Sequence, residues 1–87
     1  MKTYKIGIIG LGYVGFPLAC LFAKKYPTVG YDPYTARVES LNTGIDTTGE
    51  IGSETLKERL ATHLICTANP NDAKDCNVYI VAVPTPI

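Results

Sequence analysis

The feature that most constrains this chain is the hexapeptide Gly10-Leu11-Gly12-Tyr13-Val14-Gly15. Alone, a GxGxxG pattern is weak, because small-residue turns are common. Here a strand signal precedes it, a helix signal follows, and an acid, Asp32, arrives about 20 residues on. Each glycine then has a physical reason. Gly10 permits a tight turn. Gly12 lacks a Cβ, so a pyrophosphate can approach the backbone. Gly15 lets the helix pack close to the strand. The helix N-terminus offers free N–H groups and a partial positive charge, with Tyr13 and Val14 as donors to the anion. The alternative is a glycine-rich turn that merely packs tightly.

The rest of the chain alternates around this unit. Tyr4 to Ile9 reads as a strand of nearly continuous apolar character, as burial on both faces requires. Val14, Leu18, Leu21 and Phe22 recur at helical spacing in the first helix, with Lys24 and Lys25 at its far end. Pro17 falls near its first turn and Pro27 stops it. Thr28 to Asp32 is a second strand. Pro33 suits the first turn of a helix over Tyr34 to Leu41, with Val38 and Leu41 inward and Gly44 as the stop. Residues 44–53 read as a loop, and Ser53 caps a third helix to about Ala61, with Leu56 and Leu60 inward. Leu64 to Thr67 is a third strand, residues 69–77 a turn or short helix, and Val78 to Val83 a fourth strand ended by Pro84. Strands alternating with helices indicate parallel pairing. The expected fold is α/β, a Rossmann-type parallel sheet with helices on both faces. Right-handed crossovers limit it to the first half of a doubly wound sheet, about four strands.

Composition excludes several classes. Eight Lys+Arg balance eight Asp+Glu, so no basic excess is available to neutralise phosphates along a nucleic acid. The three cysteines, Cys20, Cys66 and Cys76, are odd in number and lack CxxC spacing. They suit neither a disulfide framework nor a zinc site, and they read as small buried thiols in a reduced, cytoplasmic compartment. From Ile6 to Ala23 there are 18 residues without a charge. That length imitates a secretion signal or marginal membrane span. Its glycines, its shift of periodicity and the placement of Asp32 argue against both.

Asp32, at the end of the second strand, can accept both hydroxyl hydrogen bonds of an adenosine ribose. It would repel a 2′-phosphate, which favours NAD over NADP; the plainer role is a helix cap before Pro33. Arg37 has two readings: a contact to the same ribose or the adenine, or a solvated surface cation. Were Arg37 to dominate, NADP would be less disfavoured. Thr85, in the turn after the fourth strand, can bond the cofactor's phosphate or nicotinamide ribose, or serve a structural turn. His63 reads as a surface residue away from the crevice. Asp46 and Glu50 fall in a loop expected to be mobile, with no chemistry assigned.

The stretch from Lys5 to Ala19, KIGIIGLGYVGFPLA, resembles the start of the UDP-glucose/GDP-mannose dehydrogenase family. Its Tyr-Val inside the glycine motif and Pro-Leu-Ala after it are more specific than GxGxxG. Gly30-Tyr31-Asp32, Arg37-Val38 and Leu41-Asn42-Thr43-Gly44 continue the match, as does Cys76 to Pro86 (CNVYIVAVPTP), which is most similar to the UDP-N-acetylhexosamine 6-dehydrogenase branch. The resemblance implies NAD-dependent, four-electron oxidation of a nucleotide sugar's C6 alcohol to a carboxylate, feeding surface polysaccharide synthesis. It implies that Tyr13, Val14, Asp32, Arg37 and Thr85 contact NAD, and that the parent protein is a homo-oligomer acting on a UDP-sugar.

The family's catalytic cysteine, lysine and sugar-binding domain lie beyond residue 87, and none of the three cysteines here matches the catalytic motif. The chain is therefore expected to be an N-terminal, partial NAD-binding domain that is inactive alone. Its fourth strand, Val78 to Val83, would then be an apolar edge through which the piece associates with a second copy. The rival readings are a stand-alone nucleotide-sensing module and another NAD-dependent dehydrogenase.

Overall fold

The computed structural model describes residues 3–49 and 51–82. Four strands are formed: β1 (Ile6–Ile9), β2 (Thr28–Tyr31), β3 (Leu64–Thr67) and β4 (Val78–Val81). All pair in parallel, in the order β3-β2-β1-β4. The helices are α1 (Gly15–Phe22), α2 (Thr35–Asn42) and α3 (Ser53–Thr62), and a 3₁₀ turn spans Pro70–Ala73. This is the expected Rossmann-type arrangement. The chain runs outward from β1 through β2 to β3, then crosses back to place β4 on the other side of β1. The strand order therefore reverses between β1 and β4, and a crevice opens beyond their carboxyl ends.

The main core holds Ile6 and Ile8 of β1, Leu64 and Cys66 of β3, Phe16, Ala19 and Cys20 of α1, Val38 and Leu41 of α2, and Leu56 of α3. The opposite sheet face carries a smaller cluster, Val29 with Ala73 and Cys76, under the 3₁₀ turn. Alternation along the strands divides the two. Ile8 points to the helices, whereas Val29, in register with Gly7, points away.

The ends of several elements differ from expectation. β1 begins at Ile6 rather than Tyr4. Its first partner is Thr28, and the residue before that is Pro27, which has no N–H to extend the ladder. Tyr4 instead meets Tyr26 edge to face, with ring centroids 6.0 Å apart. Pro33 lies in the turn before α2, outside its first turn. Ser53 is the first residue of α3 rather than its cap; Gly52 holds the cap position and the Ser53 hydroxyl donates to Gly44 O at 2.8 Å. Gly44 does end α2, at φ +91°, a left-handed conformation that suits glycine. β4 closes at Val81, and Val83 lies outside the described residues.

The buried face of α1 is not the one that the apolar spacing marks. Val14 is 64% exposed and Leu21 56%, and Leu18 and Phe22 are only half-buried. The buried face is Gly15, Phe16, Ala19 and Cys20, continued by Ala23. This face mixes small residues with Phe16, which is fully buried in the main core. The spacing fits two faces and does not choose between them.

Candidate functional site

The turn from β1 into α1 is built by backbone contacts that side chains would obstruct. Gly10 sits at φ +104° and its N–H donates to Tyr31 O at 2.7 Å, tying the turn to the end of β2. A Cβ on Gly15 would lie 1.7 Å from Gly10 O and 3.1 Å from the Ala82 methyl. Gly15 thus lets α1 start directly on the turn. A Cβ on Gly12 would meet nothing within 4 Å. Its hydrogen borders open space, where a ligand backbone can lie against the loop. Phe16 N–H donates to Gly12 O at 3.1 Å. The N–H groups of Tyr13 and Val14 therefore precede the first helical bond and belong to the unsatisfied first turn. No side chain caps α1, and Tyr13 is 70% exposed. These are the requirements for an anion at a helix N-terminus.

Asp32 bridges the two β-to-α turns. Its Oδ2 accepts from Leu11 N–H and its Oδ1 from Tyr34 N–H, both at 2.9 Å. The second bond is the cap-like role. The first reaches across to the glycine turn. Each oxygen has a lone pair left to accept a hydroxyl. A cleft of about 360 Å³ runs past this carboxylate, lined by Gly10, Leu11, Gly12, Tyr13, Asp32, Pro33, Tyr34, Arg37 and Thr48.

Arg37 is not a solvated surface cation. Its side chain is 13% exposed. Nε donates to Leu11 O at 2.8 Å, Nη1 meets Asp46 Oδ1 at 2.8 Å, and the guanidinium lies 5.2 Å from the Phe16 ring centroid. Nη2 is buried without a partner among the described residues.

Asp46, to which the sequence assigned nothing, organises its loop. Oδ1 also accepts from Thr48 N at 3.1 Å and Thr48 Oγ1 at 2.7 Å, and Oδ2 accepts from Ile51 N at 3.0 Å. Burial pushes the Asp46 carboxyl up, but the hydrogen bonds from Thr48, Arg37 and Ile51 outweigh it and leave the pKa below the ordinary value. The Asp-x-Thr spacing is an Asx-turn signal that could have revealed this. Glu50 and Thr85 lie outside the described residues.

The other singled-out groups are elsewhere. His63 is exposed, caps the end of α3 and bonds Ala23 O through Nδ1 at 3.0 Å. All three cysteines are free and buried. Burial pushes the Cys20 thiol up to about 11 and the Cys66 thiol up to about 12. Cys76 is raised too, again by burial. Such thiols are poor nucleophiles. Arg59 was missed entirely: it is buried, and its Nε donates to Cys20 O at 3.0 Å, bracing α3 against α1.

A parallel sheet with its strand order reversing at a glycine turn, an uncapped helix start and an acid at the end of β2 defines a dinucleotide-binding domain of the Rossmann type. Comparison with known proteins narrows this. The model for the UDP-glucose/GDP-mannose dehydrogenase family, NAD binding domain, matches residues 4–87. The chain belongs to that family, and its cofactor is NAD. It is 49% identical over 87 residues to a UDP-N-acetyl-D-glucosamine 6-dehydrogenase of Pseudomonas aeruginosa, covering 100% of this chain and 20% of the relative. It is 47% identical over 83 residues to the enzyme of the same name from Salmonella typhi, covering 95% and 19%. The solved structure of a UDP-D-ManNAc dehydrogenase from Pyrococcus horikoshii superposes with a TM-score of 0.88 at 38% identity, covering 95% of this chain and 21% of that one. The chain thus spans about a fifth of the length of these relatives.

Proposed function

We propose that this chain supplies the NAD-binding part of a UDP-sugar 6-dehydrogenase that oxidises a C6 alcohol to a carboxylate, with a UDP-N-acetylhexosamine as substrate. The observation that carries the reading is the open face of Gly12, beside the free N–H groups of Tyr13 and Val14 and in the same cleft as the Asp32 carboxylate. Gly10 and Gly15 hold the loop and Gly12 gives the pyrophosphate room. Tyr13 and Val14 donate to it, Asp32 accepts from the adenosine ribose, and Arg37 fixes the ribose end of the cleft. Thr85 is assigned the phosphate or nicotinamide ribose. When bound, NAD supplies the hydride acceptor. The names of the relatives support the choice of sugar.

The described residues hold no activated thiol, so chemistry on the sugar is assigned to parts of a longer protein. That protein is proposed to work in the cytoplasm as a homo-oligomer. Among the described residues no helix is long and apolar enough to cross a membrane. The family match favours this reading over a different dehydrogenase, and the relatives' activities favour it over a stand-alone nucleotide sensor.

Calorimetry with NAD tests the site. Replacing Asp32 by Ala removes the ribose acceptor and the link to Leu11 N–H, and affinity should fall by about tenfold or more. Equal affinity for the variant and the wild type would dismiss the ribose role.

A further inference from the structure

We propose that Asp46 sets the choice between NAD and its 2′-phosphorylated form, acting as a positioning residue through Arg37. This rests on the dinucleotide reading above. Asp32 alone does not decide the matter, because a guanidinium lines the same cleft. A free arginine near the ribose is what a 2′-phosphate needs.

Arg37 is not free. Asp46 holds Nη1 at 2.8 Å, Leu11 O holds Nε at 2.8 Å, and the Phe16 ring lies under the guanidinium. Asp46 cannot easily swing away. Its side chain is fully buried, and Thr48 and Ile51 donate to it from the same loop. The cation is therefore cancelled in place, and Asp32 is left as the uncompensated charge at the ribose end. The three groups sum to one negative charge, which disfavours a 2′-phosphate. Removing the Asp46 charge brings the sum to zero and returns Arg37 its full attraction for an anion, with Nη2 already lacking a partner.

The experiment titrates the intact protein with NAD and with NADP. Asp46→Asn keeps the shape of the side chain and removes its charge. We expect NADP affinity relative to NAD to rise about tenfold or more, with a steeper salt dependence for NADP. In the Arg37→Met, Asp46→Asn double variant, which restores the wild-type charge sum, the ratio should return to within about threefold of the wild-type ratio. An unchanged ratio in Asp46→Asn overturns the proposal. Equal weakening of both dinucleotides does so too, since that marks a merely structural role. A gain that survives loss of Arg37 would also overturn it. Should Asp46→Asn fail to fold, the double variant, which removes the pair together, decides. There a pair already cancelled in place moves the ratio by less than about threefold from wild type, whereas a tenfold relative loss of NADP would mean that Arg37 acts as a free cation, overturning the proposal. Wild-type protein that bound neither dinucleotide would instead remove the reading on which the proposal rests.

Discussion

Gly12 and Gly15 sit three residues apart in one motif, yet methyl groups on them should have opposite effects. At Gly15 the new Cβ falls 1.7 Å from a backbone carbonyl oxygen, while ordinary contact begins at 3.4 Å. The start of α1 must retreat by roughly 1.5 Å or more, because Gly10 O belongs to a turn fixed by its bond to Tyr31 O and cannot rotate aside as a side chain would. Overpacking of this kind costs about 1–3 kcal/mol, and the upper end applies where backbone is the obstacle. The gain in helix propensity from Gly to Ala offsets at most about 1 kcal/mol. A net loss of about 2 kcal/mol lowers the melting temperature of a domain this size by roughly 8–16 °C. At Gly12 the methyl group enters open space. Stability should hold within about 0.5 kcal/mol, while NAD affinity falls because the methyl occupies the approach to the loop. Thermal melts of Gly12→Ala and Gly15→Ala without ligand, followed by NAD titrations, separate the two effects. A Gly15→Ala protein as stable as wild type would refute the packing argument. A Gly12→Ala protein that lost as much stability as Gly15→Ala would refute the reading of its surroundings.

Three further outcomes are expected. Because the folded pKa of Asp46 lies below its unfolded value of about 3.9, its contribution to stability is complete above that value and is lost as pH falls through the folded pKa. Urea midpoints between about pH 5 and pH 2.5 should therefore fall less steeply in Asp46→Asn than in wild type, and parallel slopes would contradict this. The raised pKa values of Cys20 and Cys66 keep both thiols protonated at pH 8, so a thiol reagent should label them only at the rate of unfolding; fast labelling of native protein would count against their burial. Lastly, β4 is an edge strand with Tyr79 50% and Val81 69% exposed. Sedimentation of the 87-residue chain should show self-association that Val81→Lys suppresses, and a clean wild-type monomer at high concentration would dismiss the edge as an interface.

The sequence made the layered α/β fold readable because Gly10, Pro27, Gly44 and the β-rich runs punctuate the chain at their physical breakpoints. The glycine motif was legible for the same reason: each glycine answers a local backbone requirement, and Gly15 does so at 1.7 Å. What stayed hidden depends on distances between segments. The inner face of α1 was not legible because Phe16, Ala19 and Cys20 compete with Val14, Leu18 and Leu21 at equivalent spacing, and only contacts with other segments choose between the sets. Arg37 left two roles open until Leu11 O, Phe16 and Asp46 were seen to enclose it. Asp46 looked like one acid in a polar loop, and Arg59 like one charge on an exposed helix. Their burial follows from partners 9 and 39 residues away.

The placement of β1 has a consequence for how the domain is made. Of the four strands, β1 leaves the ribosome before the others and ends in the middle of the sheet, and its partner on one side, β4, follows 72 residues later, the separation that also divides Lys5 from Asn77 across their hydrogen bond. At about 5–20 residues per second, synthesis of that interval takes roughly 4–14 s. Throughout it, one side of β1 presents unpaired backbone beside an apolar run, and the crevice at the end of β1 lacks a wall. The nucleotide site therefore waits for β4, and the nascent chain needs protection over seconds before it can hold its cofactor.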